Sequence, residues 1–306
     1  MEHKGLRVSA APPLAELTSI RLGGAPLARV QVEDERACSA LPETLRSLGG
    51  RPVVLGRGSN ILAGPGPLPL VLLELGESFK KQKLLVLEED ECKVTLKASA
   101  AMPLPLFLHD LAELGLGGLS GLAGIPGALG GAVAMNAGSF GHEMADCLRT
   151  VRLFSPGTGL VTLEQGEWQA GYRNFTLPAL SLAEGGDGWF IITELIFRCP
   201  RMKAEDVRRH MRLCLEQKYR AQPVHERSAG CVFKNPPEGP AGRLMEECGL
   251  KGRRKGGISF SELHANFLLN DGQGRPEEAL ELMEEARAEV LKRHGARLET
   301  EVRLWV

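Results

Sequence analysis

A glycine-dense segment near the middle of the chain limits its possible folds more than any other sequence feature. Residues 115–141 read GLGGLSGLAGIPGALGGAVAMNAGSFG, and glycine recurs at every third residue from Gly115 to Gly130. Collagen shares this period, but the run is far too short and contains almost no proline. The segment therefore predicts folded backbone in tight turns that approach neighbouring groups closely.

A second glycine-rich loop, GRGSN at residues 56–60, follows the strand-like run PVVL. Consecutive backbone N–H groups in such a loop can form an anion-binding nest, although turns at strand ends often have this composition. The loop has neither the GK[ST] ending of a Walker motif nor the GxGxxG pattern of a Rossmann turn. Because the chain has two such loops, cofactor binding is favoured over turns that merely permit packing. Ser120, Asn136 and Ser139 could bind the edges of a flat ligand.

Size, charge and hydropathy exclude several classes of protein. A chain of 306 residues predicts two or three domains. Its 37 basic and 38 acidic residues include no basic block, so no nucleic-acid or membrane partner is expected. No apolar run approaches the roughly 18 residues that span a bilayer, and the N-terminus lacks the apolar core of a secretory signal. These features predict a cytoplasmic protein.

The seven cysteines are scattered and form no CxxC pair or Cys/His ligand spacing. The sequence therefore predicts no disulfide framework and no metal site. Most of the thiols are expected to be small core residues. Cys231, in the stretch SAGCVFKNP, has three possible roles: core residue, reactive nucleophile or proton donor.

Strand-like runs fill the first two thirds of the chain, and helical patterns dominate the last third, an α+β arrangement. Domain boundaries are expected near residues 76 and 200. The helix predicted over residues 204–218 has an apolar stripe with Lys218 at its basic edge. Pro240 is expected in the first turn of the following helix. The last helix should run from Pro276 to Gly295, with Leu280, Met283, Val290 and Leu291 on its apolar face.

Seven motifs occur in a fixed order: LGRGSN, GLAGIPGALGGAVAMNAG, GYRNF, SAGCVFKNP, AGRLMEECGLKG, HANFLLN and ETEVR. Together they resemble the UDP-N-acetylenolpyruvoylglucosamine reductase (MurB) family of peptidoglycan synthesis, from about Thr18 to the C-terminus. The resemblance implies a two-part FAD-binding region of the vanillyl-alcohol-oxidase type at residues 1–76 and 77–200. It implies a C-terminal α+β substrate-binding domain at residues 201–306. A cytoplasmic monomer that serves cell-wall biogenesis, cell shape and division is expected.

The resemblance also implies the cofactors and the reaction. NADPH would reduce bound FAD, and the enolpyruvyl ether of a UDP-sugar would be reduced to UDP-N-acetylmuramate. The glycine-rich loop at 56–60 would hold the pyrophosphate of FAD, and residues 120–138 would wrap its flavin. The implied cofactor-binding residues are Gly56, Arg57, Gly58, Ser59, Asn60, Ser120, Ala123, Gly124, Ile125, Pro126, Gly130, Gly131, Asn136 and Gly138.

Three catalytic residues follow from the resemblance, and the chemistry explains their types. Hydride addition to an enolpyruvyl group leaves negative charge on the neighbouring carbon and its carboxylate, which Arg173 would stabilise. Cys231 would deliver the proton, and an ordinary thiol pKa of ~8.5 keeps that proton available. Glu301 would assist if a dry site raised its pKa. From the residues alone, Arg173 could equally form a surface salt bridge, and Glu301 could be a solvated carboxylate.

The substrate contacts implied by the resemblance lie in the last third of the chain. Asn235 matches a substrate-binding position of the family, next to Lys234. Four further residues could bind the diphosphate: Lys218, Arg220, Arg243 and His264. The sequence departs from many relatives at His225–Arg227, where a proline often precedes SAG. The segment TLPALSLAEGGDG at residues 176–188 has no tyrosine, which predicts the type II subtype that lacks a closing tyrosine loop.

Other functions are open on the sequence alone. A same-fold FAD oxidase would act on an alcohol. A hydrolase or acyl transferase would use Cys231 as nucleophile with His225 or His264 as base. A non-catalytic nucleotide-binding module would need only the glycine-rich loops.

Overall fold

The computed structural model describes residues 4–178 and 188–306. Its α-helices are α1 Leu14–Leu17, α2 Leu41–Leu48, α3 Glu77–Lys80, α4 Leu104–Glu113, α5 Leu129–Ala134, α6 Ala204–Ala221, α7 Ala241–Glu247 and α8 Pro276–His294. Short 3₁₀ helices cover Glu35–Ala40, Ser120–Leu122 and Met144–Asp146. Within the described ranges, no helix combines the length and apolarity needed to cross a membrane.

The strands alternate with these helices along most of the chain. They are β1 Leu6–Ser9, β2 Pro26–Val32, β3 Arg51–Val54, β4 Ile61–Ala63, β5 Leu68–Leu75, β6 Leu85–Glu89, β7 Lys93–Ser99, β8 Gly138–Ser139, β9 His142–Glu143, β10 Leu148–Ser155, β11 Gly159–Glu164, β12 Gln169–Gly171, β13 Asn174–Thr176, β14 Ile191–Pro200, β15 Ser228–Cys231, β16 Arg254–Lys255, β17 Ile258–Phe260, β18 Phe267–Asn270 and β19 Arg303–Trp305.

The chain divides into two compact units, and each draws on separate stretches of sequence. Unit one comprises residues 1–11, 27–56 and 69–216. Unit two comprises residues 12–26, 57–68 and 217–306. The GRGSN loop passes from unit one to unit two after Gly56. The finer division of the FAD-binding region at residue 76 remains a prediction.

Unit one contains two larger sheets, each with its own core, and two short hairpins, β8–β9 and β12–β13. The first sheet has the order β1-β2-β5-β3, with β1 antiparallel to β2 and β3 parallel to β5. Its strand β5 carries an unbroken buried run from Leu70 to Leu73, as expected for a strand covered on both faces. The core of this sheet also includes Val30, Leu41 and Phe79. It places the end of β3, Val54, two residues before Gly56.

The second sheet of unit one is antiparallel, with the order β11-β10-β14-β7-β6. Strand β14 lies at its centre, and the ring of Phe197 from this strand packs against Phe107 of α4, with centroids 4.8 Å apart. Leu129 and Val133 of α5 join the same core. This core therefore fixes both ends of the segment that connects α4 to α5.

Unit two is built on a four-stranded antiparallel sheet with the order β15-β18-β17-β16. The core includes Phe233, Phe260 and Met245, together with Leu282 and Met283 of α8. A parallel pair, β19 with β4, brings the last strand beside residues 61–63. Helices hold most of the regular structure of the last third, as predicted, but the four-stranded sheet was not predicted. These strands have only two to four residues, too few to show a period of two.

Three details of the predicted helices also change. Lys218 is only 4% exposed, because it lies four residues after the buried Cys214 on the same face of α6. It therefore does not lie on an exposed basic edge. Pro240 directly precedes the first residue of α7 rather than lying in its first turn. Helix α8 begins at Pro276 and ends before Gly295, as predicted, but Leu291 is 48% exposed.

The cysteines confirm the prediction that most are small core residues. Cys38, Cys147, Cys199 and Cys214 are buried, and none of the seven forms a disulfide within the described residues. Burial raises the pKa of Cys38 to about 12. A hydrogen bond to Cys147, with burial, raises the pKa of Cys199. The Cys38 and Cys199 thiols therefore stay protonated at neutral pH.

Candidate active site

The first half of the glycine-rich segment, residues 115–121, is closed by the protein's own atoms. A Cβ built on Gly117 would lie 2.1 Å from Met202 Sδ, and one on Gly118 would lie 2.5 Å from Cys147 Sγ. At Gly121 the nearest atoms would be His142 Cδ2 and the Ser139 carbonyl oxygen, both at 2.7 Å. These glycines are required by packing inside unit one, so their periodicity does not by itself indicate a ligand.

The second half, residues 124–131, includes a glycine of a different kind. Gly131 lies in α5 with an ordinary helical φ, and a Cβ there would meet nothing within 4 Å. Gly56 is similar, since its φ is ordinary and its Cβ would be 3.9 Å from Ala128 Cβ. Both are exposed. Neither backbone conformation nor internal packing explains these two glycines, and the space above them suits the close approach of a bound group.

Gly130, in the same half, is held against the segment after β7. The Gly130 N–H donates to the Ala100 carbonyl at 2.8 Å, and a Cβ at Gly130 would lie 3.0 Å from Ala100 Cβ. Ala123 is buried, whereas Gly124 and Pro126 are exposed and Ile125 is half-buried. The segment thus presents an exposed stretch at 124–126 and an open glycine at 131.

Ser120 is buried and belongs to a chain of polar side chains within unit one. Its hydroxyl lies 2.6 Å from Nδ1 of His210, and His210 Nε2 lies 3.7 Å from Cys214 Sγ. The ring of His142 lies 5.6 Å from that of His210 and hydrogen-bonds the Gly118 carbonyl through Nδ1 at 2.8 Å. The sequence did not indicate that His210 and His142 belong to this chain of side chains, because no spacing links either residue to Ser120.

Arg173 lies in the turn of the hairpin β12–β13, between the paired residues Gly171 and Asn174. Its φ is +53°, a conformation that residues other than glycine rarely adopt. Its guanidinium donates through Nη2 to the Gly138 carbonyl at 3.0 Å and lies 5.1 Å above the Tyr172 ring centroid. Arg173 is therefore held within unit one by the Gly138 carbonyl and the Tyr172 ring.

Gly58 fixes the part of the GRGSN loop that belongs to unit two. Gly58 has a φ of +65°, and a Cβ there would lie 2.1 Å from the Leu17 carbonyl oxygen. Its own carbonyl accepts from the Ser19 N–H at 3.1 Å. Arg57 is exposed and Ser59 is half-buried. The turn at Gly58 is therefore set by packing against residues 17–19, whatever its neighbours bind.

Cys231 ends strand β15 and is half-buried. The strand bulges before it, since Ser228 pairs with Leu269 but Cys231 pairs with Phe267. Gly230, inside the bulge, has a φ of +81° and open space beside it. A bulge re-aims the side chain that follows it, so this local geometry sets the direction of the thiol.

Glu301 lies beside Cys231 in the backbone of unit two. The Val232 carbonyl accepts from the N–H of Glu301 at 2.8 Å and from that of Val302 at 3.4 Å. The Asn60 amide donates to the Glu301 carbonyl at 3.2 Å. Two predicted catalytic residues, 70 positions apart in sequence, are thus brought together with a predicted loop residue.

The predicted substrate residues of unit two differ in exposure. Lys218 is buried, Arg220 is exposed, and Lys234 Nζ lies 3.5 Å from Glu299. Asn235 accepts through Oδ1 from the Ala241 N–H at 3.0 Å, which caps the start of α7. The Arg243 side chain is exposed and lies 3.5 Å from Glu247.

His264 is held in a defined place. A Cβ on Gly242 would lie 2.8 Å from His264 Cε1, and the Phe267 ring contacts the imidazole edge to face at 5.0 Å. Nδ1 accepts from the Asn266 N–H at 3.2 Å. Burial lowers the pKa of His264 below its usual 6.5, so the imidazole is neutral at pH 7. It can form hydrogen bonds but supplies little positive charge for a diphosphate.

The segment TLPALSLAEGGDG, from which the subtype without a closing tyrosine loop was predicted, lies largely outside the described residues, since 179–187 fall in the gap. Within the described residues, no group of three or more His, Cys, Asp or Glu side chains is placed to hold a metal ion.

Comparison with known proteins identifies the family. The profile of the FAD binding domain matches residues 26–164, and that of the UDP-N-acetylenolpyruvoylglucosamine reductase C-terminal domain matches residues 222–305. The UDP-N-acetylenolpyruvoylglucosamine reductase of Oleidesulfovibrio alaskensis is 45% identical over 299 residues, 97% of this chain and 98% of that protein. The chain belongs to the UDP-N-acetylenolpyruvoylglucosamine reductase family. The Nitratidesulfovibrio vulgaris member is 46% identical over 300 residues, 98% of each chain.

A solved structure of the family agrees. UDP-N-acetylenolpyruvylglucosamine reductase (MurB) from Thermus caldophilus superposes with a TM-score of 0.80 at 33% identity, covering 98% of this chain and 100% of that one. The α+β fold, with an FAD-binding domain and a C-terminal reductase domain, is thereby confirmed. The vanillyl-alcohol-oxidase type of the FAD-binding region stays a prediction. Two further predictions are confirmed: that the cofactor is FAD, and that the chain is an FAD-dependent oxidoreductase of this family. The individual site residues stay predictions.

Proposed function

We propose that this chain reduces UDP-N-acetylenolpyruvoylglucosamine to UDP-N-acetylmuramate with NADPH, in the cytoplasm and for peptidoglycan synthesis. The observation that carries the proposal is the pairing of residues 231–234 with 299–302, which places Cys231 and Glu301 on adjacent backbone segments. A proton donor and a carboxylate at one place suit a reaction that ends with proton transfer to carbon.

FAD would be held by the exposed backbone at residues 124–126 and by the open faces of Gly56 and Gly131. These glycines have no internal reason to be glycine, which fits a cofactor lying against them. When bound, FAD supplies the hydride, taken from NADPH, that the enolpyruvyl group receives.

Arg173 would stabilise the charge that develops on the substrate carboxylate and its neighbouring carbon. Its guanidinium is held by the Gly138 carbonyl, so it is oriented before the charge forms. Groups that need no reorganisation stabilise a transition state more than mobile ones do. Lys218, Lys234 and Asn235 would bind the anionic part of the UDP-sugar.

Cys231 would donate the proton that completes the reduction. Gly230 has open space beside it, which leaves room for substrate next to the thiol. Serine has a similar shape and also carries a transferable proton, whereas alanine has none. We therefore expect Cys231→Ser to retain substantial turnover and Cys231→Ala to lose about 10²-fold or more.

The test is NADPH oxidation by the yellow purified protein with and without UDP-N-acetylenolpyruvoylglucosamine. Oxidation should depend on that substrate, whereas a same-fold oxidase would consume NADPH or an alcohol with oxygen alone. Flavin reduction by NADPH should be normal in Cys231→Ala and Glu301→Gln, with only the second half-reaction impaired. Normal substrate turnover by Cys231→Ala would exclude the thiol as proton donor.

A further inference from the structure

Both the nitrogen and the oxygen of the Asn136 side-chain amide form hydrogen bonds with the protein backbone. It is 1% exposed, donates through Nδ2 to the Gly171 carbonyl at 3.1 Å, and accepts through Oδ1 from the Ala145 N–H at 3.0 Å. Its φ of +43° is one that asparagine tolerates better than most residues. A buried amide with both ends paired to backbone groups is typical of a structural clamp, because losing it would leave two buried partners unpaired.

The two ends of this clamp belong to segments that meet again at Arg173. Gly171 is the last residue of β12, directly before the turn that carries Tyr172 and Arg173. The Arg173 guanidinium donates to the carbonyl of Gly138, two residues after Asn136. The loop that begins at Asn136 therefore holds the hairpin at two points, once at its backbone and once at the guanidinium.

The backbone at Arg173 needs such support. A φ of +53° at a residue other than glycine is strained and persists only where the surroundings impose it. The Asn136 amide supplies that constraint at the residue two positions before. Gly138 must approach the guanidinium closely, since a Cβ there would lie 3.4 Å from Arg173 Nη1 and 3.1 Å from Glu143 Cβ.

We propose that Asn136 is a positioning residue for Arg173, rather than the cofactor contact that the sequence predicted. This inference rests on the proposed function, in which Arg173 stabilises the charge formed on the enolpyruvyl substrate. Asn136 fixes the start of the turn, the turn fixes the Arg173 backbone, and the Gly138 carbonyl fixes the guanidinium. A small displacement of such a group lowers kcat strongly, because the group acts on charge that exists only in the transition state.

Two substitutions separate the hydrogen bonds of Asn136 from its backbone conformation. Asn136→Gly keeps the positive φ without strain and removes both hydrogen bonds. Asn136→Asp keeps the shape and the acceptor for the Ala145 N–H, but places a carboxylate oxygen against the Gly171 carbonyl. If the glycine variant does not fold, the aspartate variant carries the test. Arg173→Ala and the double variant Asn136→Gly/Arg173→Ala complete a cycle.

Three quantities are measured for each variant: melting temperature with flavin content, the rate of flavin reduction by NADPH, and the single-turnover rate with UDP-N-acetylenolpyruvoylglucosamine. We expect the Asn136 variants to bind FAD and to be reduced normally, with the second half-reaction slowed about tenfold or more at nearly unchanged KM. In the Arg173→Ala background, the Asn136 substitution should add little further loss, because both act on one group.

The possible failures are distinguishable. If Arg173→Ala turns over substrate at the normal rate, the proposed role of Arg173 is wrong and the inference falls with it. If Arg173→Ala is slow but the Asn136 variants are normal, only the inference is wrong. Loss of FAD with a normal second half-reaction in reconstituted variants would make Asn136 a cofactor contact. Losses that multiply in the double variant would likewise overturn the positioning role.

Discussion

The two halves of the glycine-rich segment contain similar sequences but meet different surroundings. At residues 115–121 the space where a Cβ would lie is filled by protein atoms, such as the Cys147 sulfur beside Gly118. At Gly131, in the second half, the missing side chain leaves open space. The period of three therefore combines two requirements. One is internal packing, and the other is room for a bound group, so each half should respond differently to an added methyl group.

The largest effect is expected at Gly118. Alanine there would combine a φ of +88° with a Cβ 2.5 Å from Cys147 Sγ, next to Pro200 at 3.1 Å. Strain and overpacking each cost roughly 1–3 kcal/mol, so Gly118→Ala should lower the free energy of unfolding by about 3 kcal/mol. Denaturant unfolding of the protein measures this loss.

The matched control for Gly118 is Gly141. It has a φ of +76° and nothing within 4 Å of its Cβ position, so Gly141→Ala isolates the backbone term. The control should lose about 1 kcal/mol. Equal losses at the two positions would mean that the contact with Cys147 contributes nothing, and the first half would then not be closed by packing.

At Gly131 the sign of the effect on folding should reverse. Gly131→Ala replaces a helical glycine in open space, which should stabilise the fold by about 0.5–1 kcal/mol. The same methyl group would stand where we place FAD, so the affinity for FAD should fall about tenfold or more, or ~1.4 kcal/mol. Flavin titration of the apoprotein and its melting temperature give the two numbers. Unchanged FAD affinity would remove Gly131 from the cofactor site.

This contrast also shows what the sequence could and could not predict. Ordered motifs such as SAGCVFKNP and HANFLLN indicated the family, and with it the fold and the FAD cofactor. Helix α8 was predicted at both ends, because Pro276 and Gly295 are strong signals for the start and end of a helix. Such signals are local, so they can be recognised without knowing what packs against them.

The rest depended on partners distant in sequence. The sequence around Gly118 does not indicate that Cys147 will fill the space where a Cβ would lie. Nor does the sequence around Gly58 indicate that Leu17 will lie against it. Lys218 shares a face of α6 with Cys214, but the sequence could not show that this face is buried. For the same reason the sequence could not show the backbone partners of Asn136, which lie up to 35 residues away.

In unit two, Gly242 resembles the closely packed glycines at residues 115–121, with a smaller expected effect. The His264 imidazole occupies the space beside this glycine, and burial lowers its pKa below 6.5. A hydrogen bond with its own backbone raises the pKa in opposition, the charge of Lys251 lowers it further, and that of Glu246 raises it. Protonation of Nδ1 would also remove the acceptor of the Asn266 N–H. The folded protein therefore binds a proton at His264 less readily than the unfolded chain does.

The smallest expected effect is the pH dependence that follows from this difference. With the folded pKa below the unfolded value of about 6.5, the stability linked to His264 is complete above that pH. It declines as the pH falls through the lower, folded pKa, because the unfolded chain takes up the proton first. His264→Asn should therefore lose less melting temperature between about pH 7.5 and 5.5 than the parent protein. His225→Asn, at an exposed histidine, is the control and should keep the parent's dependence. If His264→Asn also kept the parent's pH dependence, then the close packing at Gly242 would not hold the imidazole neutral. Gly242 would then belong with the glycines that face open space, such as Gly131.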